Sequence, residues 1–158
     1  MPQKQPASIV SFHFQHRGLY LQNRQKLKAF INNVFKQEKM PVHTLQFIFC
    51  SDRQLLSINR QYLKHNYYTD IISFNLADKN LPVLGEIYIS LDRVRDNAKT
   101  LQQFVYLELH RVIFHGVLHL CGYKDKKTVD QALMTKKEDY YLKQYFNSST
   151  NHSFTPKL

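Results

Sequence analysis

The chain has 158 residues, enough for one domain with a sizeable core and short for two. Hydrophobic residues make up 43% and aromatics 13%, as in globular proteins, while Cys50 and Cys121, in no C-x-x-C pattern, argue against a disulfide framework or a thiolate zinc site. Twenty-two Lys and Arg against twelve Asp and Glu give a net charge of +10, which turns the expected partners toward polyanions, RNA first; with no apolar run of bilayer length and none behind Met1, the protein is expected in the cytoplasm, with no membrane partner.

In chain order, Ile9 to Phe14 alternates apolar and polar residues and predicts a strand. Leu27, Phe30, Ile31, Val34 and Phe35 recur at three and four residues, which predicts an amphipathic helix up to about Lys39. Val42 to Cys50 is a second strand, and Ser51-Asp-Arg-Gln54 offers a capping box for a helix through Leu63. His65-Asn66-Tyr67-Tyr68 reads as a loop, Asp70 to Asn75 as a strand, and Leu84 to Ser90 as another strand that enters a helix at about Leu91. From Leu101 to Cys121 runs the longest helical pattern, apolar over much of its circumference through Phe104, Val105, Leu107, Val112, Ile113 and Leu118, and it is expected to be the central helix. Thr128-Val-Asp-Gln131 resembles a further capping box, opening a last helix to about Phe146. Residues 1–146 thus form one domain, and Asn147 to Leu158 is a polar tail. Four strands interleaved with helices leave α/β and α+β both open.

The chemistry concentrates in His115-Gly-Val-Leu-His119-Leu-Cys-Gly122-Tyr-Lys-Asp125. His115 and His119 leave the same face of a helix one turn apart, so one ion can reach both. Gly122 falls where a helix needs a left-handed residue, and the reversed chain can return Asp125 to the imidazoles. Two nitrogens and one carboxylate oxygen leave a fourth tetrahedral position open, the pattern of a catalytic zinc site. Among eight histidines an i, i+4 pair arises by chance, but a glycine at the right offset with a ligand-type residue beyond it sets this one apart. The spacing is that of the long metzincin protease motif, except that Gly116 stands where those proteases carry a glutamate base, which disfavours peptide hydrolysis. His110 lies on another face and is not expected to be a ligand; Val117, Leu118, Leu120 and Cys121 read as packing. Asp70 reads as structural, Glu86 either lines the cleft or faces water, and His65 beside Tyr67 and Tyr68 is a candidate surface for stacking unpaired bases. Lys124 and Lys126 flank Asp125 as candidate phosphate contacts.

On these residues the chain resembles the YbeY family of metal-dependent rRNA maturation endoribonucleases. Its signature H-G-x-L-H-L-x-G-Y-D-H is matched by His115, Gly116, Leu118, His119, Leu120, Gly122 and Tyr123, with Lys124 and Asp125 at the last two positions, so that Asp125 replaces the third histidine. Thr69-Asp70-Ile-Ile-Ser73-Phe74 is similar to the family's T-D-V-L-S-F, and Leu84-Gly85-Glu86-Ile87-Tyr88-Ile89-Ser90 to its L-G-D-I-x-I-S. Where the family has an active-site arginine after tyrosine, this chain has Leu63; Arg60, three residues earlier, is the candidate substitute and Lys64 a poorer one.

The resemblance implies an α+β domain with a mixed four-stranded sheet in a zincin-like arrangement around a central metal-binding helix. It implies one Zn2+ per chain on His115, His119 and Asp125, with His115 and Arg60 as catalytic candidates. Lys124, Lys126, Lys64 and His65 become candidate RNA contacts. The implied activity is single-strand-specific endoribonuclease action in 16S rRNA 3′-end processing and ribosome quality control. The partners would be rRNA and the small ribosomal subunit, with a small-subunit ribosomal protein and an assembly GTPase. Leu63 and Asp125 motivate an alternative, a non-catalytic, metal-stabilised ribosome-assembly factor. Whether water or a ribose 2′-OH attacks the phosphate stays open.

Overall fold

A computed structural model describes residues 9–147 of the chain; the segment expected as a polar tail lies, apart from Asn147, outside the described residues. The elements are β1 (Ile9–Phe14), α1 (Arg24–Gln37), β2 (Val42–Cys50), α2 (Asp52–Leu63), β3 (Ile71–Asn75), β4 (Val83–Ser90), α3 (Leu91–Thr100), α4 (Val105–Leu120) and α5 (Thr128–Asn147). The strands form one sheet in the order β1-β2-β4-β3, in which β1, β2 and β4 are parallel and β3 runs antiparallel to β4. The fold is α+β with a mixed sheet, and β3 is an edge strand.

Alternation along the strands sorts the side chains to two faces. Phe12 and Phe14, Leu45, Phe47 and Phe49, and Ile87 and Ile89 meet α1 and α4 in the main core. Cys50, Ile72, Phe74 and Tyr88 face the other way, toward Leu55 and Ile58 of α2, in a smaller cluster. The last four residues of β2 are buried without a break because both faces of the sheet are covered there. Helix α4 is buried at Leu107, Leu109, Val112, Ile113, Phe114, Val117, Leu118 and Leu120, which wraps its circumference, and it is the central helix expected from its sequence.

Two expectations change. The apolar run from Leu101 to Cys121 is not one helix: α3 ends at Thr100, Gln102 takes a left-handed φ of 52°, and α4 starts only at Val105. Leu101 and Phe104, which extended the pattern backward, are 55% and 72% exposed. The longest helix is α5, with 20 residues against 16 in α4. Thr128 is the first helical residue of α5 rather than its cap, and the Gln131 side-chain amide donates to the Lys126 carbonyl instead of closing a box. The box at α2 is present: Ser51 Oγ accepts from Gln54 N at 3.1 Å, and Ser51 N donates to Gln54 Oε1 at 2.8 Å.

Candidate metal centre

The C-terminal turn of α4 builds the site. Cys121 caps the helix and Gly122 adopts φ +99°, a left-handed position that few other residues take without strain. Gly122 N donates to His119 O and Tyr123 N to Leu118 O, the paired bonds that end a helix and reverse the chain. The reversal returns Asp125 to the helix. His115 Nε2 lies 2.9 Å from His119 Nε2 and 3.1 Å from Asp125 Oδ2, and His119 Nε2 lies 3.2 Å from the same oxygen.

The protons on these rings are fixed from behind. His119 Nδ1 faces the Tyr123 carbonyl at 2.9 Å, and a carbonyl only accepts, so Nδ1 carries the hydrogen and Nε2 the lone pair. His115 Nδ1 donates to Glu138 Oε2 at 2.7 Å, leaving its Nε2 as the second lone pair. Glu138, on α5 and 7% exposed, is held in turn by Arg111, whose guanidinium spans Glu138 Oε1 at 3.1 Å and Asp139 Oδ1 at 2.8 Å. Two nitrogen lone pairs and a carboxylate oxygen therefore converge with no donor among them. Ligands 2.0–2.1 Å from a tetrahedral zinc sit about 3.3 Å apart, and the three separations here are close to that edge. These residues fit a zinc ion, and among the described residues no other trio of His, Cys, Asp or Glu gathers in this way. Burial draws the His115 pKa down, yet the Glu138 carboxylate, then Asp125 and Asp70, more than offset it and hold the pKa above the ordinary histidine value; a metal ion competes for the same negative surroundings.

A third layer closes the loop from below. Glu38, just past the end of α1, accepts from Tyr123 Oη at 2.7 Å, from Lys137 Nζ at 3.0 Å and from Tyr141 Oη. The loop that carries Asp125 is thus tied to α1 and α5 at once.

The site opens into a cavity of about 720 Å3 lined by Asn59, Leu63, His65, Tyr67, Asp70, Ser73, His115, His119, Asp125 and Lys126, together with other residues of β3. A second cavity of about 430 Å3 holds Lys124, Lys126, Lys127 and Asp130 and shares His119 and Asp125 with the first. The expected ligands are brought together, and His65, Lys124 and Lys126 border them. Arg60 and Lys64 do not line either cavity: Arg60 Nε donates to Asn66 Oδ1, and Lys64 is the left-handed cap of α2. Leu63 occupies the cleft wall instead. Glu86 turns to the α2 side of the sheet, accepting from Tyr88 Oη at 2.8 Å, and does not line the cleft. Asp70 does, with Asn97 Nδ2 at 3.3 Å, and burial raises its pKa. His110 packs against Tyr145 and Phe146 away from the site. Burial first, then Glu38, pushes the Cys121 thiol up to about 12, so it stays protonated and packs.

Glu138 and Glu38 have no signal in the motif, because α5 and the end of α1 reach it only through the fold. Arg111, one turn before His115 on α4, and Lys127, two residues past Asp125, stand beside the motif but read along the chain as ordinary solvated cations.

The family model described as Endoribonuclease YbeY matches residues 12–146. The Endoribonuclease YbeY of Cytophaga hutchinsonii is 46% identical over 132 residues, covering 83% of this chain and 92% of that one. That of Flavobacterium psychrophilum is 46% identical over 139 residues, 87% and 96% of the two chains. The solution structure of TM1509 from Thermotoga maritima superposes with a TM-score of 0.60 at 24% identity, over 89% of this chain and 90% of that one, a likeness of fold alone. A match over nearly the whole described domain, to relatives that are themselves covered almost end to end, means that this chain belongs to the YbeY family of endoribonucleases.

Proposed function

We propose that the protein is a zinc-dependent endoribonuclease that cuts single-stranded RNA at the cleft between α4 and the α2–β3 connection. The observation that carries this reading is the meeting of two imidazole lone pairs and one carboxylate oxygen at 2.9 to 3.2 Å, in a cleft of a chain charged +10. His115, His119 and Asp125 would hold one ion per chain. When bound, such an ion supplies Lewis acidity toward a phosphoryl oxygen and an open coordination position.

The chain's own groups do the rest. Glu138 and the Tyr123 carbonyl keep the Nδ1 protons in place, so both Nε2 atoms stay directed at the same point. Asp125 replaces a neutral imidazole by a carboxylate, which lowers the net positive charge of the centre by one. Among the described residues, Lys126 is the only lysine or arginine lining the larger cavity, and it can hold a phosphate oxygen there, the duty the family gives to an arginine at the Leu63 position. Processing of the 16S rRNA 3′ end, ribosome quality control, a cytoplasmic setting and the partners rRNA, small subunit, small-subunit ribosomal protein and assembly GTPase rest on family membership alone. For its own part, no helix among the described residues is long and apolar enough to cross a membrane.

One observation favours the second reading, a non-catalytic assembly factor: the apolar Leu63 where the family has arginine. Metal content and cleavage of a single-stranded rRNA fragment, measured on one preparation, separate the two. The expected result is one zinc per chain and chelator-sensitive cleavage, both lost in His119→Ala. Stoichiometric zinc with intact RNA would establish the assembly factor.

A further inference from the structure

Two cavities meet at the ligand trio. The larger carries Leu63, His65 and Tyr67 beside polar groups such as Asn59, Asp70 and Ser73; the smaller gathers Lys124, Lys126 and Lys127, with Asp130 as its one carboxylate not engaged in the trio. His119, Asp125 and Lys126 belong to both.

The ring wall is unusually well held for something so open. Tyr67 is 57% exposed, yet its ring stacks on His65 with centroids 5.2 Å apart at 20°, and its hydroxyl meets His65 Nδ1 at 3.0 Å. The backbone beneath is pinned by Asn59, 1% exposed, whose Nδ2 donates to the Tyr67 carbonyl at 2.9 Å and whose own carbonyl accepts from His65 N at 3.2 Å. A fixed, solvent-facing pair of rings at the mouth of a cavity presents a π-face with its ordering entropy already spent. Unpaired nucleobases stack on such faces, and they do so with little regard to sequence. A paired base has both faces covered by its neighbours and cannot enter.

Resting on the endoribonuclease reading above, we propose that one unpaired base of the substrate strand inserts into the larger cavity and stacks on the His65–Tyr67 pair, while the backbone on the other side of the scissile phosphate runs over Lys124, Lys126 and Lys127. The two sides of the cut then differ: a base is required on one and only sugar-phosphate on the other. Preference for single strands follows from the base side.

The test walks a single abasic nucleotide along a short single-stranded RNA that contains one cut, reading both cleavage by the zinc-loaded enzyme and affinity by fluorescence anisotropy. Wild type is expected to lose about tenfold in both for an abasic position next to the cut on one side, and nothing on the other. Tyr67→Ala is expected to bind and cut the intact RNA about tenfold less well and to ignore the abasic position; the Asn59 bond, made to the backbone, survives this change. Tyr67→Phe, which keeps the ring, should behave as wild type. If Tyr67→Ala keeps the abasic penalty, or no position carries one, the stacking site is wrong. If the wild type cuts nothing, the endoribonuclease reading is lost, and the anisotropy pattern still decides the stacking site.

Discussion

Glu138 settles which nitrogen of His115 faces the cleft, and a neutral amide in its place tests that role. Glu138→Gln keeps the size and an acceptor but removes the charge that makes the imidazole basic, so zinc affinity is expected to fall about tenfold or more, with the fold intact by circular dichroism. Chelator competition reads it; unchanged affinity would mean that His115 needs no support. Glu108, 5% exposed on α4, tests the opposite effect. Burial, with Asp70 and Glu138 adding to it against Arg111 and Asn97, pushes its pKa up to about 7. Its folded-state pKa lies above its unfolded value, so the folded chain binds the proton more tightly, and stability falls as pH rises from about 4.5 to about 7 and then levels off. Glu108→Gln should raise stability by about 2 kcal/mol at pH 8 and leave it nearly unchanged at pH 4.5. Denaturant midpoints at the two values check this, and an equal shift at both would show that the proton is irrelevant. The three candidate ligands were legible because they share one short motif. Glu138 was not, since a carboxylate on a distant helix carries no mark of the ring it will meet, and Arg111 gains its role only through Glu138.

Between elements, α4 approaches the sheet closely where it crosses at Gly116. A Cβ there would come within 2.8 Å of Ile71 Cδ1 and 3.0 Å of Ile87 Cδ1 and Cγ2. The residue that disfavours protease chemistry is therefore also the one that lets the metal helix lie against β3 and β4. Gly116→Ala is expected to cost about 1–3 kcal/mol despite its better helix propensity, measured by denaturant unfolding. A gain in stability would show that the isoleucines yield freely. The strands, α1 and α2 were readable from period and capping, because most of their periodic apolar residues, such as Leu27, Ile31, Val34, Leu45, Phe47 and Leu55, are also buried ones. The break at Gln102 was not: Leu101 and Phe104 continue the helical spacing while facing solvent, and period reports where apolar residues stand, not where they go.

For the molecule as a whole, the charge of +10 sets a background attraction for RNA on which the cleft must improve. Three lysines or arginines separate the two contributions. Lys126 lines both cavities, Arg60 bonds Asn66 outside them, and Lys28 lies on α1 over the Phe12 ring. Across a salt series on one RNA, Lys126→Ala should reduce the slope of log affinity against log salt by about one and slow cleavage. Arg60→Ala and Lys28→Ala should give equal, small effects; a selective loss in Arg60→Ala would restore it as the stand-in for the family arginine. Net charge, legible from composition, could not make this distinction, because it counts cations without locating them. The Glu38 carboxylate ties Tyr123 to Lys137 and Tyr141 across the molecule. Those bonds anchor the Asp125 loop to two helices without using a ligand atom, so metal capture is expected to be an event of ligand exchange rather than of chain folding. Its rate is then expected to follow how fast the incoming ion sheds water, and chelation of the ion should leave the course of the loop unchanged.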